Sequence, residues 1–256
     1  LKKTLILLIT AILFIPNILF SDLITFKLGY FFPRANSDLW ESEITHLTFA
    51  KSSFQDKSLY LGYEFFLSEK ISLTLNLESF SKSTSGIYKV DIVYSGKDEE
   101  GRDILLLIPS DRYRDPRLKH EFRIGITPIQ VSTKFYPLGK RSGLFPFLGG
   151  GTGLYLWSVG VKGVWIDFSD EHTCYDEDSD EDISGYPYDI KAESENKVTI
   201  GFHLLGGFMV PIGKKLRLDL ELKHYFAKGN FSEFFSNFES FDISGFQIFI
   251  GLNYMF

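Results

Sequence analysis

The stretch "LRLDLELKHY", residues 216–225, places leucine at 216, 218, 220 and 222 and sets Arg217, Asp219, Glu221 and Lys223 between them. Wound as a helix, those leucines would scatter around the axis. Extended, they form one apolar face and leave the ions on the other. "ISLTLNLES" (71–79) repeats the pattern, with Ile71, Leu73, Leu75 and Leu77 alternating with Ser72, Thr74, Asn76 and Glu78. So does "SLYLGYEFFL" (58–67), where Leu59, Leu61, Tyr63, Phe65 and Leu67 oppose Tyr60, Gly62 and Glu64. In 246–256 the apolar set is Phe246, Ile248, Ile250, Leu252, Tyr254 and Phe256, and in 198–212 it runs from Val198 through Phe208 to Ile212. "ITFKLGYFF" (24–32) supplies a first strand, and a fifth, 144–158, carries "GGGTG" without a fixed facing. The fourth, 118–136, changes phase at Thr127-Pro128. There Phe122, Ile124 and Ile126 give way to Ile129, Val131 and Phe135, and a bulge is expected because proline cannot donate to a ladder.

Composition agrees with strands. Of 256 residues, 26 are Phe and 13 are Tyr, whereas Met is scarce. A net charge of -6 gives no sign of nucleic-acid binding, and a single cysteine, Cys174, rules out an internal disulfide. Residues 1–21 place two lysines before an apolar run broken by Pro16, the layout of a secretory signal peptide. The mature domain is then expected over 22–256.

Connection lengths decide how the strands are arranged. "SEK" (68–70), "LGKRSG" (138–143) and "GKK" (213–215) are short, while 33–57, 82–117, 159–197 and 227–243 are long. Long and short alternate, so all short turns fall at one end of the sheet. The expected fold is all-β: an eight-stranded antiparallel up-and-down transmembrane β-barrel with short periplasmic turns and long extracellular loops. Both chain ends then lie on the periplasmic side, and the last strand pairs with the first to abolish the sheet edges. Residues 87–110 hold two β-rich runs around a polar turn and are expected as a hairpin above the membrane; ten strands is the alternative.

Alternation alone does not say which face is inside. A soluble lipocalin-like barrel would turn the apolar face inward, but the stripes hold more large side chains than a narrow lumen accepts. With the stripes against lipid, Lys27, Arg123, Lys134, Arg217 and Lys223 point inward, as do Glu64, Glu78, Asp219 and Glu221. An eight-stranded cylinder is just wide enough for side chains to fill it. The expected interior is therefore a plug of ion pairs.

The sequence resembles the small bacterial outer-membrane β-barrel proteins with an OmpA- or OmpX-like eight-stranded domain. The resemblance rests on the whole of 22–256, on the closing segment "FIGLNYMF" and on the stretches 126–139 and 145–157. It implies that Gly251, Tyr254 and Phe256 form the C-terminal insertion signal read by the barrel assembly machinery, with Phe249 where a polar residue is usual. It also implies a monomer in the bacterial outer membrane, in contact with its lipid and lipopolysaccharide.

Little in the loops points to chemistry. Asp176, Asp178, Asp180 and Asp182 alternate in an acidic loop, a spacing that suits calcium, although no glycine marks the turn of a calcium-binding loop. No other cofactor is expected. None of the five histidines begins a His-x-Ser, and His203 and His224 stand singly on strands as packing or rim residues. The chain is thus expected to be no enzyme, with a structural or surface-interaction role through its loops. The alternatives are a narrow pore for small solutes and, beyond it, a lipid A-modifying enzyme.

Overall fold

The computed structural model describes residues 22–97, 103–109, 118–139, 143–176 and 181–256; the expected signal segment, 1–21, lies outside them. In chain order the strands are β1 (Leu23–Pro33), β2 (Asp56–Phe66), β3 (Ile71–Ile87), β4 (Val90–Lys97), β5 (Asp103–Pro109), β6 (Lys119–Phe135) and β7 (Phe145–Ile166). There follow β8 (His172–Asp176), β9 (Glu181–Pro211), β10 (Leu216–Phe226), the short β11 (Lys228–Gly229) and β12 (Phe241–Asp242), and β13 (Gly245–Met255). A helix, α1 (Asp38–His46), and a 3-10 turn (Lys51–Phe54) occupy the first long loop, which the sequence pattern did not announce.

Eight strands close on themselves. The order β10-β13-β1-β2-β3-β6-β7-β9 is completed by pairing of β10 with β9, and every neighbouring pair is antiparallel. The register fixes the tilt. Stepping through paired residues from Leu23 to Glu64, Thr74, Ser132, Gly151, His203, Tyr225 and Gly245 returns to β1 at Pro33, ten residues farther along. With ~3.3 Å of rise per residue, that stagger tilts the strands by about 40°.

The strands outside these eight stay above the barrel. β4 pairs with β5, β5 with residues 185–187 of β9, and β8 with residues 181–185 of β9. Within 87–110 the described strands β4 and β5 pair with each other outside the barrel wall and form no extra spanning pair. The loop expected over 159–197 is largely strand, since β7 and β9 stay paired from Phe145↔Met209 to Ile166↔Tyr188. Beyond Val198, the last exposed apolar residue of the belt on β9, that hairpin rises about 25 Å more.

The fourth strand corrects the sequence reading. β6 pairs with β7 in one unbroken register from His120 to Phe135, so there is no bulge at Thr127-Pro128. Its even-numbered side chains face inward throughout. Phe122, Ile124 and Ile126 are buried, and Arg123 stands outside with 63% of its side chain exposed. What changes near Pro128 is the medium on each side of the wall. Below it Ile129, Val131 and Phe135 face outward and Gln130, Ser132 and Lys134 inward; above it the polar residues are outside. β3 reverses at the same place, with Leu73, Leu75 and Leu77 exposed below, Ser79, Ser81, Ser83 and Ser85 exposed above, and Phe80 buried. β7 follows: Leu148, Leu154 and Leu156 are exposed, whereas Tyr155, Trp157, Val159 and Val161 are buried. Pro128 leaves its own trace as a gap in the β3–β6 ladder between Leu77↔Ile129 and Phe80↔Ile126.

The exposed apolar belt spans Phe246 to Phe256 on β13, about 25 Å at that tilt and the height of a bilayer-spanning band. "GGGTG" in β7 gains its meaning here. A Cβ on Gly151 would lie 2.0 Å from the Val131 carbonyl oxygen, so only glycine lets the wall curve this tightly. The reversal of facing is testable by substitution. Leu75→Arg places a charge near the middle of the belt and is expected to cost about 2–4 kcal/mol of unfolding free energy. Ser83→Arg, on the same face of the same strand, is expected to stay within ~0.5 kcal/mol. Equal costs in denaturant titrations in lipid vesicles would place the boundary elsewhere.

Candidate functional site

The lumen is filled in three layers. At the short-turn end an apolar floor joins Leu23, Phe66, Tyr136, Phe145, Phe147 and Met209. Over it lies an ionic layer, and above that an aromatic core around Phe31, Phe80, Phe122, Tyr155 and Trp157. The first and last long loops complete that core. Trp40 of α1 stacks on Phe241, meets Phe54 and Phe122 edge-on, and donates from Nε1 to the Asp242 carbonyl at 3.0 Å. The loop aromatics thus close the mouth as side chains close the floor.

Glu221 is the hub of the ionic layer. Its Oε2 lies 2.6 Å from Lys27 Nζ and 3.3 Å from Lys134 Nζ, and its Oε1 lies 3.5 Å from Lys223 Nζ. Each lysine has a second anion: Asp219 for Lys27 at 2.8 Å, Glu64 for Lys134 at 3.2 Å and Glu78 for Lys223 at 2.5 Å. All these groups are essentially fully buried. Arg217 is 6% exposed and lies 4.2 Å over the Phe145 ring. With Arg123 outside, the inward charges read from the sequence come to four cations and four carboxylates. That set balances, whereas the sequence reading left one positive charge over.

Neutral partners complete the layer. Ser72 donates to Glu64 at 2.6 Å, the Tyr136 hydroxyl donates to the same carboxylate, and Asn76 donates to both Glu78 and Gln130 at 2.9 Å. Tyr225 bonds Glu78 and Gln247, Asn253 reaches Asp219 at 3.1 Å, and Thr25 donates to Asn253 at 2.6 Å. These residues share the inward parity of the charged ones. Parity along each strand therefore carried the signal that would have found them. Ser132 and His203 meet at 2.7 Å through Oγ and Nε2, and His203 Nδ1 has no hydrogen-bond partner. A buried Ser–His contact with no carboxylate on the second ring nitrogen lacks the orienting third group of a catalytic triad. His224 lies on the outer side, edge-on to Phe226.

The remaining sequence-marked residues lie apart from the lumen charges. Tyr254 and Phe256 are exposed at the lower edge of the belt, in edge contact with each other. Gly251 pairs with Lys27 of β1, and a Cβ there would meet the Phe26 carbonyl oxygen at 2.2 Å. Phe249 faces inward against Tyr60, in space that Gly29 leaves open. Asp178 and Asp180 lie outside the described residues. Asp176 and Asp182 fall on the paired strands β8 and β9, and among the described residues no cluster of potential metal ligands occurs.

Replacing one partner of a buried ion network strands the others, at a cost of about 3–5 kcal/mol. Glu221→Gln is therefore expected to lower stability by that amount in urea titrations of the refolded barrel. Arg123→Ala is expected to change it by less than ~0.5 kcal/mol, since its pairing with Glu121 at 3.1 Å is solvent-exposed. A reversed ranking would mean that Arg123, and not Glu221, belongs to the interior.

No family model matches the chain, and no curated protein matches it. Among solved structures it is similar to the outer membrane protein OprG from Pseudomonas aeruginosa, at 12% identity and a TM-score of 0.48 over 92% of this chain and 95% of that one. It is also similar to Neisserial surface protein A, at 10% identity and 0.47 over 92% and 97%. A third is the N-terminal β-barrel domain of Pseudomonas aeruginosa OprF, at 8% and 0.41 over 92% and 97%. The likeness is one of outline, and the strand pairings themselves carry the assignment. Closed by β1 against β13, apolar on its outer belt and ionic within, the chain is an eight-stranded antiparallel transmembrane β-barrel.

Proposed function

We propose that the chain is an integral protein of the bacterial outer membrane whose lumen is closed and whose work is done by its outer surfaces. The observation that carries this reading is the stacking, between two apolar layers, of an ionic layer in which Lys27, Lys134 and Lys223 each pair with Glu221 and with a second carboxylate. Lysines each buried between two carboxylates neither open a water path nor stand free for chemistry. At the junction of the ionic and aromatic layers, the hollow beside Phe31, Glu78, Phe80, Tyr225 and Gln247 has no room for a water molecule. Outside the lumen, the upper part of β9, at 31 residues the longest strand described, carries β4, β5 and β8 in a sheet standing above the belt. That sheet is the surface a partner would meet, and the role assigned is structural or interactive.

Planar-bilayer recordings of the purified protein are expected to show no steady unitary current. Sustained conductance would favour the narrow-pore alternative and overturn the closed lumen. Orientation has its own measurement. With Cys174 replaced by serine, Ser194→Cys on the upper part of β9 is expected to react with a membrane-impermeant maleimide on intact cells. Labelling that requires permeabilised cells would invert the proposed topology.

A further inference from the structure

Above the belt, the β7–β9 hairpin and the last long loop bring together Trp165, Phe168, Tyr186, Phe231, Phe234 and Phe238. All six pack on the aromatic core, and each still shows part of its ring to water. Phe234, Phe235 and Phe238 meet Trp165 edge-on, at 5.4, 6.3 and 6.3 Å between centroids, and Phe231 adjoins Phe235 at 5.3 Å. Phe168 lies 5.3 Å from Tyr186, and Tyr88 and His120 link it to Trp165. Half-buried aromatics gathered in this way have the composition of an interface centre.

Charge says what kind of partner fits. The segments that carry these rings, 165–197 and 231–240, hold fourteen acids against two lysines, a net of -12 in a chain of net charge -6. The rest of the chain is therefore net positive, and the acidity is concentrated here. Carboxylates stand against the rings themselves. Glu171 accepts a hydrogen bond from the Tyr186 hydroxyl, Asp189 is the cross-strand partner of Trp165, and Glu233 and Glu239 adjoin Phe234 and Phe238 in sequence. Glu193 is exposed, and Glu233 is 69% exposed.

Rings and carboxylates attract the same charge, because the face of an aromatic ring is the negative side of its quadrupole. The chain shows the fit on itself: Lys191 sets its Nζ 4.8 Å over the Phe234 ring. Lys197, the other lysine, is engaged by Ser232, Glu195 and Glu233. Carboxylates alone would gather cations diffusely and lose them to salt, whereas ring faces add a short-range attraction that salt screens little. We propose that this aromatic, acidic cap docks a cationic polypeptide segment, whose arginine or lysine side chains lie against Trp165 and Phe238 and among the surrounding carboxylates. An anionic chain such as a sulfated glycan meets like charge on the same surface and is turned away. This rests on the surface-interaction reading above and names the partner chemistry of that surface.

The test is fluorescence anisotropy of a short labelled peptide of alternating arginine and glycine, titrated with the full chain in phosphatidylcholine nanodiscs, with empty nanodiscs as the blank. Binding is expected, and raising salt from about 50 to 150 mM is expected to weaken it severalfold without abolishing it. Trp165→Leu with Phe238→Leu keeps apolar bulk and removes two ring faces. It is expected to weaken binding at least about tenfold, the loss of two cation–π contacts. Glu193→Lys with Glu233→Lys alters only exposed positions and is expected to cost at least as much at low salt. Both variants should keep the heat-modifiable gel mobility of a folded barrel. No binding by the unaltered protein, equal binding of a labelled sulfated dextran, or an affinity that survives either variant overturns the proposal. A folded, non-conducting barrel that ignores the peptide sinks the partner class alone, whereas a conducting one sinks the closed lumen.

Discussion

The β1–β13 ladder is the contact on which the rest of the molecule depends. In hydrocarbon an unpaired backbone amide or carbonyl has no solvent to turn to, so a sheet can cross only if its first and last strands meet. Here they pair from Leu23↔Met255 to Pro33↔Gly245. Closure at this register dictates which side chain of every strand faces in. It brings Lys27 of β1, Lys134 of β6 and the ions of β10 into one layer although they are scattered along the chain.

A closed wall has two faces, and each crosses from one medium to another. The outer face passes from lipid to water, and the inner face from an ionic layer to an aromatic core. Both transitions occur near the same level, so the polarity of a strand inverts without any change of backbone. Strands β2, β10 and β13 lie mostly within the belt and were legible from simple alternation. β6 runs well past the belt, and its inversion imitates the slip of phase that an extra residue would cause. Arg123 was assigned to the lumen for that reason: parity was right for the lower half of β6 and was applied with the wrong sign to the upper half.

Other elements were illegible for different physical reasons. α1 is nine residues long and has no capping side-chain hydrogen bond at Ser37. What holds it is Trp40, whose partners Phe54, Phe122 and Phe241 come from three distant parts of the chain. Helices this short draw their stability from such packing and leave a faint local signature. The tyrosines and amides that complete the ionic layer were visible as inward positions, but their bonding was not. Whether Gln130 meets Tyr155 or Lys223 is decided by the stagger around the barrel, which no single strand records.

The interruption at Pro128 gives the hoop an uneven strength. Seven of the eight seams carry an unbroken run of partners, and only the one between β3 and β6 skips two rungs. Under lateral tension, load concentrates where rungs are missing, and the adjoining pairs must bear the excess. If bilayer stretching or a pull on the long hairpins ever tears this cylinder, the rip starts at that seam, midway up the wall.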